Sequence, residues 1–167
     1  MNKVLFAALN ILICTSCVKS GFQPPPIPPD YRSWKSSHDG FLKYPIPGHM
    51  DNYRKIYFND KASNVGPGED YPDGTVIIKE IYKQNSTERP FQLTVMIKDH
   101  ASPQAVGGWV WVVKNDDDPV EHVITGEFCF TCHTDANVSQ PYGDGNPDKQ
   151  FRDYVFIPLF AKQLTTD

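Results

Sequence analysis

The alternation of hydrophobic and polar positions predicts four β-strands in the middle of the chain. Residues 53–58 alternate in the manner of an edge strand, and residues 91–97 alternate with a period of two. Residues 75–82 are rich in β-branched and aromatic side chains, and residues 109–113 form a continuous apolar run. Because short loops join the last three segments, the pattern predicts an antiparallel sheet.

Turn-forming residues separate these segments and limit the helical content. Residues 64–74 are dense in turn formers and predict a loop, whereas residues 114–119 predict a solvated hairpin tip without the later glutamate of a calcium loop. Residues 31–34 carry two aromatic side chains on a polar background, which is typical of a short helix or turn packed on the core. With 15 prolines and 11 glycines, the chain is expected to be α+β but mainly β, an antiparallel sheet with a few short helices.

The first 29 residues are expected to lie outside the folded domain. Residues 1–16 combine a cationic start with a short apolar run, which is typical of an export signal and too short to span a bilayer. Cys14-Thr-Ser-Cys17 resembles a bacterial lipoprotein cleavage site, although Cys14 stands where lipoproteins usually carry leucine, so cleavage without a lipid on Cys17 stays open. Residues 17–29 form a proline-rich linker and residues 30–167 one folded domain. The sequence thus predicts an exported, periplasmic protein that meets a membrane only through a lipid on Cys17.

The charge balance argues against one class of partner. The chain has 16 lysines and arginines against 20 aspartates and glutamates, and its basic residues form no run. Binding to a phosphate backbone needs clustered positive charge, so no nucleic acid is expected as a partner.

The segment Cys129-Phe-Thr-Cys132-His133 is the pentapeptide that attaches c-type haem. Two thiols add to the vinyl groups of the porphyrin, and the adjacent histidine binds the iron. One such motif predicts one haem per chain, with Cys129, Cys132 and His133 as cofactor-binding residues and His133 as the metal ligand. Export agrees with this interpretation, because c-type haem is attached outside the cytoplasm.

Other chemistries of these five residues fit the sequence less well. A structural zinc site needs four ligands, and nothing in the spacing of His100 or His122 marks either as a missing one. A thioredoxin-like redox pair belongs in a βαβ pattern, which does not surround this segment. A disulfide between Cys129 and Cys132 would close a very short, strained loop.

The sixth coordination position of the iron decides the function. An electron carrier fills that position with methionine or a second histidine, whereas an open position binds small ligands. The sequence context singles out none of the six candidates, which are Met50, Met96, His38, His49, His100 and His122.

Lys79 is the second informative residue. On a strand, Lys79 projects to the same face as Thr75, Ile77 and Ile81, so a lysine lies among largely apolar neighbours. The pattern alone favours a side chain that extends to water at the edge of the sheet, since lysines are rarely buried without a reason.

Several ordered motifs resemble those of the cytochrome P-460 and cytochrome c′-beta family over about residues 30–160. They are Tyr31-Arg-Ser-Trp34, Arg54-Lys-Ile-Tyr-Phe-Asn59, Tyr71-Pro-Asp-Gly-Thr-Val-Ile-Ile-Lys-Glu80, Trp109-Val-Trp, Cys129-Phe-Thr-Cys-His133 and Asp153-Tyr-Val-Phe156. The resemblance implies a mainly antiparallel β domain, usually a homodimer, with one five-coordinate c-type haem near the sheet. A ligand of the iron would then be nitric oxide or hydroxylamine, and an electron-accepting cytochrome would be the redox partner.

The two branches of this family differ in the lysine that matches Lys79. In the cytochrome P-460 branch that lysine is linked covalently to the porphyrin, and those members oxidise hydroxylamine and handle nitric oxide. Cytochrome c′-beta members lack the cross-link and bind nitric oxide at an apolar distal face. The resemblance therefore favours a functional Lys79 over one that merely extends to water.

One departure from the family concerns the distal carboxylate of the hydroxylamine-oxidising members. The match places Thr94 at that catalytic position, and a shift of register would substitute Gln92 or Met96. Threonine is no general base near neutral pH. Glu80 is nearby in sequence, but the strand pattern points it away from the Lys79 face. Efficient hydroxylamine oxidation is thus in question, although Lys79 and Thr94 are the predicted catalytic positions.

The expected function is therefore an exported mono-haem c-type cytochrome with an open distal iron site that oxidises hydroxylamine or nitric oxide. A nitric-oxide-binding module without turnover is the alternative, and a six-coordinate electron carrier ranks last. Residues 134–152, a long stretch after the haem motif, are expected to decorate the surface rather than cover the haem edge.

Overall fold

The computed structural model describes residues 23–44, 46, 52–84, 86–125 and 127–157. In these residues one antiparallel sheet follows chain order from edge to edge, so each strand pairs with its neighbours in sequence. The export signal, Cys14, Cys17, His49 and Met50 lie outside the described residues. The strands are β1 (Lys35–Ser36), β2 (Tyr53–Phe58), β3 (Val76–Tyr82), β4 (Gln92–Lys98), β5 (Trp109–Asn115) and β6 (His122–Val123).

The predicted fold class is confirmed, because the described part of the chain is mainly β with one short α-helix, α1 (Phe128–His133). Strands β2 to β5 lie where the hydrophobic pattern predicted them, within one or two residues at either end. Strands β1 and β6 have only two residues each, too few for any alternation to be visible in the sequence. Short 3₁₀ helices complete the secondary structure at Tyr31–Ser33, Asp60–Asn64 and Thr134–Asn137. Among the described residues, no helix is long and apolar enough to cross a membrane.

The pleat of the sheet separates two hydrophobic clusters. One face carries a cluster built around the fully buried Trp109, together with Phe58, Met96 and Trp111. The other face carries Ile78, Val95, Val110 and Val112, and the N-terminal Tyr31 packs against them. Helix α1 and the segment that follows it cover the first face, where Cys129 and Phe130 pack against the Trp109 cluster.

Glu80 ties the N-terminal segment to β3 on the second face. Its fully buried carboxylate accepts hydrogen bonds from the Tyr31 and Tyr82 hydroxyls, each at 2.6 Å, and from Arg32 Nε at 2.7 Å. Burial and the neighbouring Glu80 charge raise the pKa of both tyrosines. Glu80 thus points away from the Lys79 face, as the strand pattern predicted.

We expect Glu80→Ala to lower the free energy of unfolding by about 3 kcal/mol, because two buried hydroxyls and a guanidinium lose their common acceptor. Urea unfolding followed by circular dichroism measures this loss. Glu88→Ala is the control, since Glu88 is exposed. Equal stability of the two variants would contradict the role given to the Glu80 carboxylate.

Candidate haem site

Helix α1 brings the two cysteines and the histidine of the haem motif onto one side of a single helical turn. Positions three and four residues apart lie on the same helix face, so Cys129, Cys132 and His133 are neighbours. Thr134 Oγ1 donates to the Thr131 carbonyl oxygen at 2.6 Å and closes the end of the helix. Both cysteines are free thiols, with Cys129 half-buried and Cys132 exposed. The disulfide alternative is thus not formed in this structure.

His133 is held in the orientation that a haem ligand needs. Its Nδ1 lies 2.7 Å from the Tyr154 carbonyl oxygen, and its ring meets Trp111 and Phe156 edge-on at centroid distances of 4.7 and 5.3 Å. Burial lowers the pKa of His133 to about 4, and the nearby charge of Lys79 adds to the effect. The imidazole is therefore neutral near pH 7. Because a carbonyl only accepts, Nδ1 carries the proton and Nε2 keeps its lone pair for a metal.

A cavity of about 310 Å³ lies between the sheet, α1 and the segment after it. Cys129, Cys132 and His133 line it on the helix side, and aliphatic and aromatic side chains form most of the remaining wall. The apolar members include Leu42, Ile56, Ile77, Met96, Trp111, Ile124, Val155, Phe156 and Ile157. Such a wall with a few polar groups is typical of a cofactor pocket.

Lys79 and Thr94 both line this cavity and are directly opposite each other on β3 and β4. Lys79 also faces Ile56 of β2, so its half-buried side chain lies in the middle of the sheet rather than at its edge. Burial, and to a smaller extent the nearby charge of Arg54, lowers the pKa of Lys79 to about 7. The interpretation from pattern alone, a lysine reaching water at a sheet edge, is wrong.

Arg54 is a cavity residue that the sequence analysis missed. It lies on β2, is 1% exposed, and donates through Nη2 to the Tyr44 carbonyl oxygen while its guanidinium lies 5.0 Å from the centre of the Tyr44 ring. Burial lowers its pKa from the usual value. Alternate residues of a strand share one face, so the positions of the buried Phe58 and the partly buried Ile56 on β2 could have placed Arg54 on the inner face.

Carboxylates are nearly absent from the described lining of the cavity. Asp135 is the one acidic residue among the lining residues, and it is exposed on the 3₁₀ helix that follows α1. Glu80 is on the opposite face of the sheet, and Asp99 lies beyond the end of β4. Thr94, the residue matched to a distal carboxylate, thus lines a cavity whose described wall holds no buried carboxylate.

Of the six candidates for a sixth iron ligand, Met96 lines the cavity. His100 and His122 are exposed and lie 2.7 Å from Asp73 and Asp118, respectively, outside the described lining of the cavity. His38 is also exposed, on the segment after β1. His49 and Met50 lie outside the described residues.

The segment after α1 covers the cavity, so the expectation that residues 134–152 only decorate the surface is wrong. Tyr142 and Gly143 line the cavity, and the Tyr142 ring lies 6.3 Å from that of Phe156. Arg152 pairs with Asp144 through two hydrogen bonds of 2.7 and 2.6 Å and holds this loop in place. The sequence of this segment carried no sign of what it covers.

The donor set fits a c-type haem: two free thiols, a neutral imidazole with a free Nε2 and an apolar wall meet at one cavity. A comparison with known protein families matches residues 28–157 to the family described as Cytochrome P460. A search of curated proteins found no match. Because the match covers most of the chain, this protein belongs to the cytochrome P460 family, and a c-type haem with its iron is the cofactor that this membership implies.

Proposed function

We propose that this chain is an exported mono-haem c-type cytochrome with an open distal site that oxidises hydroxylamine or nitric oxide. One observation carries the proposal: Lys79 lines the same apolar cavity as Cys129, Cys132 and His133. The family lysine that modifies the porphyrin in the hydroxylamine-oxidising branch therefore has its counterpart at the site where the haem motif lies. Proximity of Lys79 to this motif supports a cross-link but leaves its formation to experiment.

Different residues of this chain would bind the porphyrin and the iron of the cofactor. Cys129 and Cys132 would form the thioether bonds, and His133 Nε2 would be the axial ligand. When bound, haem iron supplies a coordination site for a small ligand and accepts electrons from it. The apolar wall excludes water, and the buried charge of Arg54 disfavours a cationic ligand over a neutral or anionic one.

The register of the sheet supports an open sixth position. Met96 pairs with Trp111, whose indole contacts His133, whereas Lys79 and Thr94 form the next cross-strand row about 7 Å away. Met96 is thus on the His133 side of the Lys79–Thr94 row. A haem held by His133 would take a sixth ligand from the far side of its iron, and Met96, which pairs with the His133 neighbour Trp111, would be poorly placed for that role.

A nitric-oxide-binding module without turnover is the second candidate function. The absence of a buried carboxylate from the described cavity wall favours it, because oxidation of hydroxylamine releases protons that a nearby base must accept. Thr94 cannot serve as that base near neutral pH. Oxidation by this chain is therefore expected to be slow.

The partners and the location follow from the same proposal. An electron-accepting cytochrome would reach the site through α1, where Cys132 and the 79% exposed Phe128 lie at the surface. A homodimer, a periplasmic location and a lipid on Cys17 are proposed from the sequence, and Cys17 lies outside the described residues.

Haem attachment is tested by the double variant Cys129→Ser and Cys132→Ser. We expect the intact mass of the exported protein to fall by one haem, because no thioether bond can form. Thr131→Ser on the same helix is the control and should keep the haem mass. A double variant that still carries covalent haem would contradict the assignment of the two thiols.

The Lys79 cross-link is tested by tryptic mapping and by the pyridine haemochrome spectrum. In the native protein we expect one haem to join the Lys79 peptide to the Cys129–His133 peptide, and Lys79→Ala to restore an ordinary c-type spectrum. Lys55→Ala is the control, because Lys55 lies on β2 directly opposite Glu80 in the strand register and does not line the cavity. Haem on the cysteine peptide alone would favour the nitric-oxide binder.

The missing base is tested by Thr94→Glu, which places a carboxylate opposite Lys79. We expect sustained hydroxylamine oxidation, measured with an artificial electron acceptor, to rise by about 100-fold, the usual scale of general-base catalysis. Thr94→Gln is the control of similar size without a base. Rapid hydroxylamine oxidation by the unmodified protein would contradict the need for a base at position 94. A spectral change on adding hydroxylamine, without sustained reduction of the electron acceptor, would identify the protein as a ligand binder.

A further inference from the structure

The Tyr154 carbonyl is the group that orients His133, and the chain holds it in a strained segment. Asp153 and Tyr154 both adopt left-handed backbone conformations, with φ of 48° and 68°. Residues other than glycine rarely adopt this region, and two in succession persist only when their surroundings fix them. Something must therefore hold this turn in place beneath the imidazole.

The Asp153 carboxylate supplies that fixation. Both of its oxygens accept hydrogen bonds from Lys98 Nζ, at 2.7 and 2.6 Å. The carboxylate also accepts hydrogen bonds from the Tyr71 backbone N–H at 2.9 Å and from Trp109 Nε1 at 3.2 Å. Trp109 Nε1 also donates to the Asp153 carbonyl oxygen at 3.0 Å. Lys98 and Asp153 are each 1% exposed, and Trp109 is fully buried. The turn is thus anchored by an ion pair that solvent does not reach.

The anchor belongs to the rigid part of the sheet. Lys98 and Trp109 are directly opposite each other on β4 and β5, and the Lys98 ammonium lies 5.0 Å from the centre of the Trp109 ring. Removing two charges from water is costly, and an apolar pair would pack the same space without that cost. The directional contacts of Asp153 give the charged pair a role that an apolar pair could not fill.

We propose that the buried Lys98–Asp153 pair positions the Tyr154 carbonyl and thereby tunes the axial ligand His133. A carbonyl held at Nδ1 makes the imidazole a stronger electron donor, which would strengthen its bond to a haem iron and lower the reduction potential of that haem. Lys98 and Asp153 are not among the described residues that line the cavity, and Asp153 directly precedes Tyr154, whose carbonyl oxygen lies at His133 Nδ1. The inference rests on the haem assignment of the proposed function, but not on which ligand the iron binds.

The test compares purified haem-loaded variants by resonance Raman spectroscopy and by redox titration. Asp153→Asn keeps the shape of the side chain and removes its charge, and Lys98→Met removes the partner charge while keeping an unbranched apolar chain. We expect both to lower the iron–histidine stretching frequency in the ferrous protein and to raise the reduction potential. Lys98→Arg, which restores a cation, should return both values toward those of the native protein.

Asp116→Asn is the control, because it breaks the exposed Arg89–Asp116 ion pair, and neither of these residues lines the cavity or contacts the Asp153 turn. It should leave the stretching frequency and the potential unchanged. The proposal would be overturned if either variant, Asp153→Asn or Lys98→Met, folded and kept the native stretching frequency and reduction potential. A lower stability of that variant would not rescue the proposal. These readouts do not depend on hydroxylamine or nitric oxide, so a failure of the proposed ligand chemistry would be seen separately in the turnover assay.

Discussion

The alternation of side chains along β3 is the constraint on which the rest of this structure depends. Lys79 and Glu80 are adjacent charged residues, and the pleat sends one into the cavity and the other into the opposite face. The Glu80 carboxylate, with its two tyrosines and Arg32, fixes the register of the strand. A slip of one residue would exchange the two charges, placing an acid in the cavity and a lysine among buried tyrosines.

Buried charged side chains recur on the inner face of the sheet, and the charge of each is compensated in a different way. Arg54 bonds to the Tyr44 carbonyl oxygen and stacks near its ring, whereas Lys98 is neutralised by Asp153. The pKa of Lys79 is lowered by burial and by its cationic neighbour Arg54. The sheet thus presents a face that is apolar in composition but holds a few cationic groups in fixed places.

The sequence was sufficient for the parts of the molecule that follow from local pattern. Alternation placed β2 to β5, and the haem pentapeptide placed Cys129, Cys132 and His133 on what proved to be one helical turn. The parity of β3 correctly separated Lys79 from Glu80. These features depend on residues close together in the chain, which pattern analysis reads directly.

The parts that pattern did not predict arise from contacts between distant segments. Asp153 meets Lys98 across 55 positions of sequence, and the Tyr154 carbonyl meets His133 across 21. Tyr142 reaches the cavity wall from a loop whose composition indicates only turns. The roles of these side chains depend on residues that are distant in sequence, and such contacts are visible only in the folded structure.

The order of the sheet also bears on how the chain would acquire a haem. Since every strand pairs with its neighbours in sequence, the sheet can assemble through local contacts, which favour rapid folding. The haem motif and the Asp153–Tyr154 turn come later in the chain and pack onto one face of this sheet. Maturation can therefore proceed in two stages, with a preformed β scaffold awaiting the segment that carries the haem.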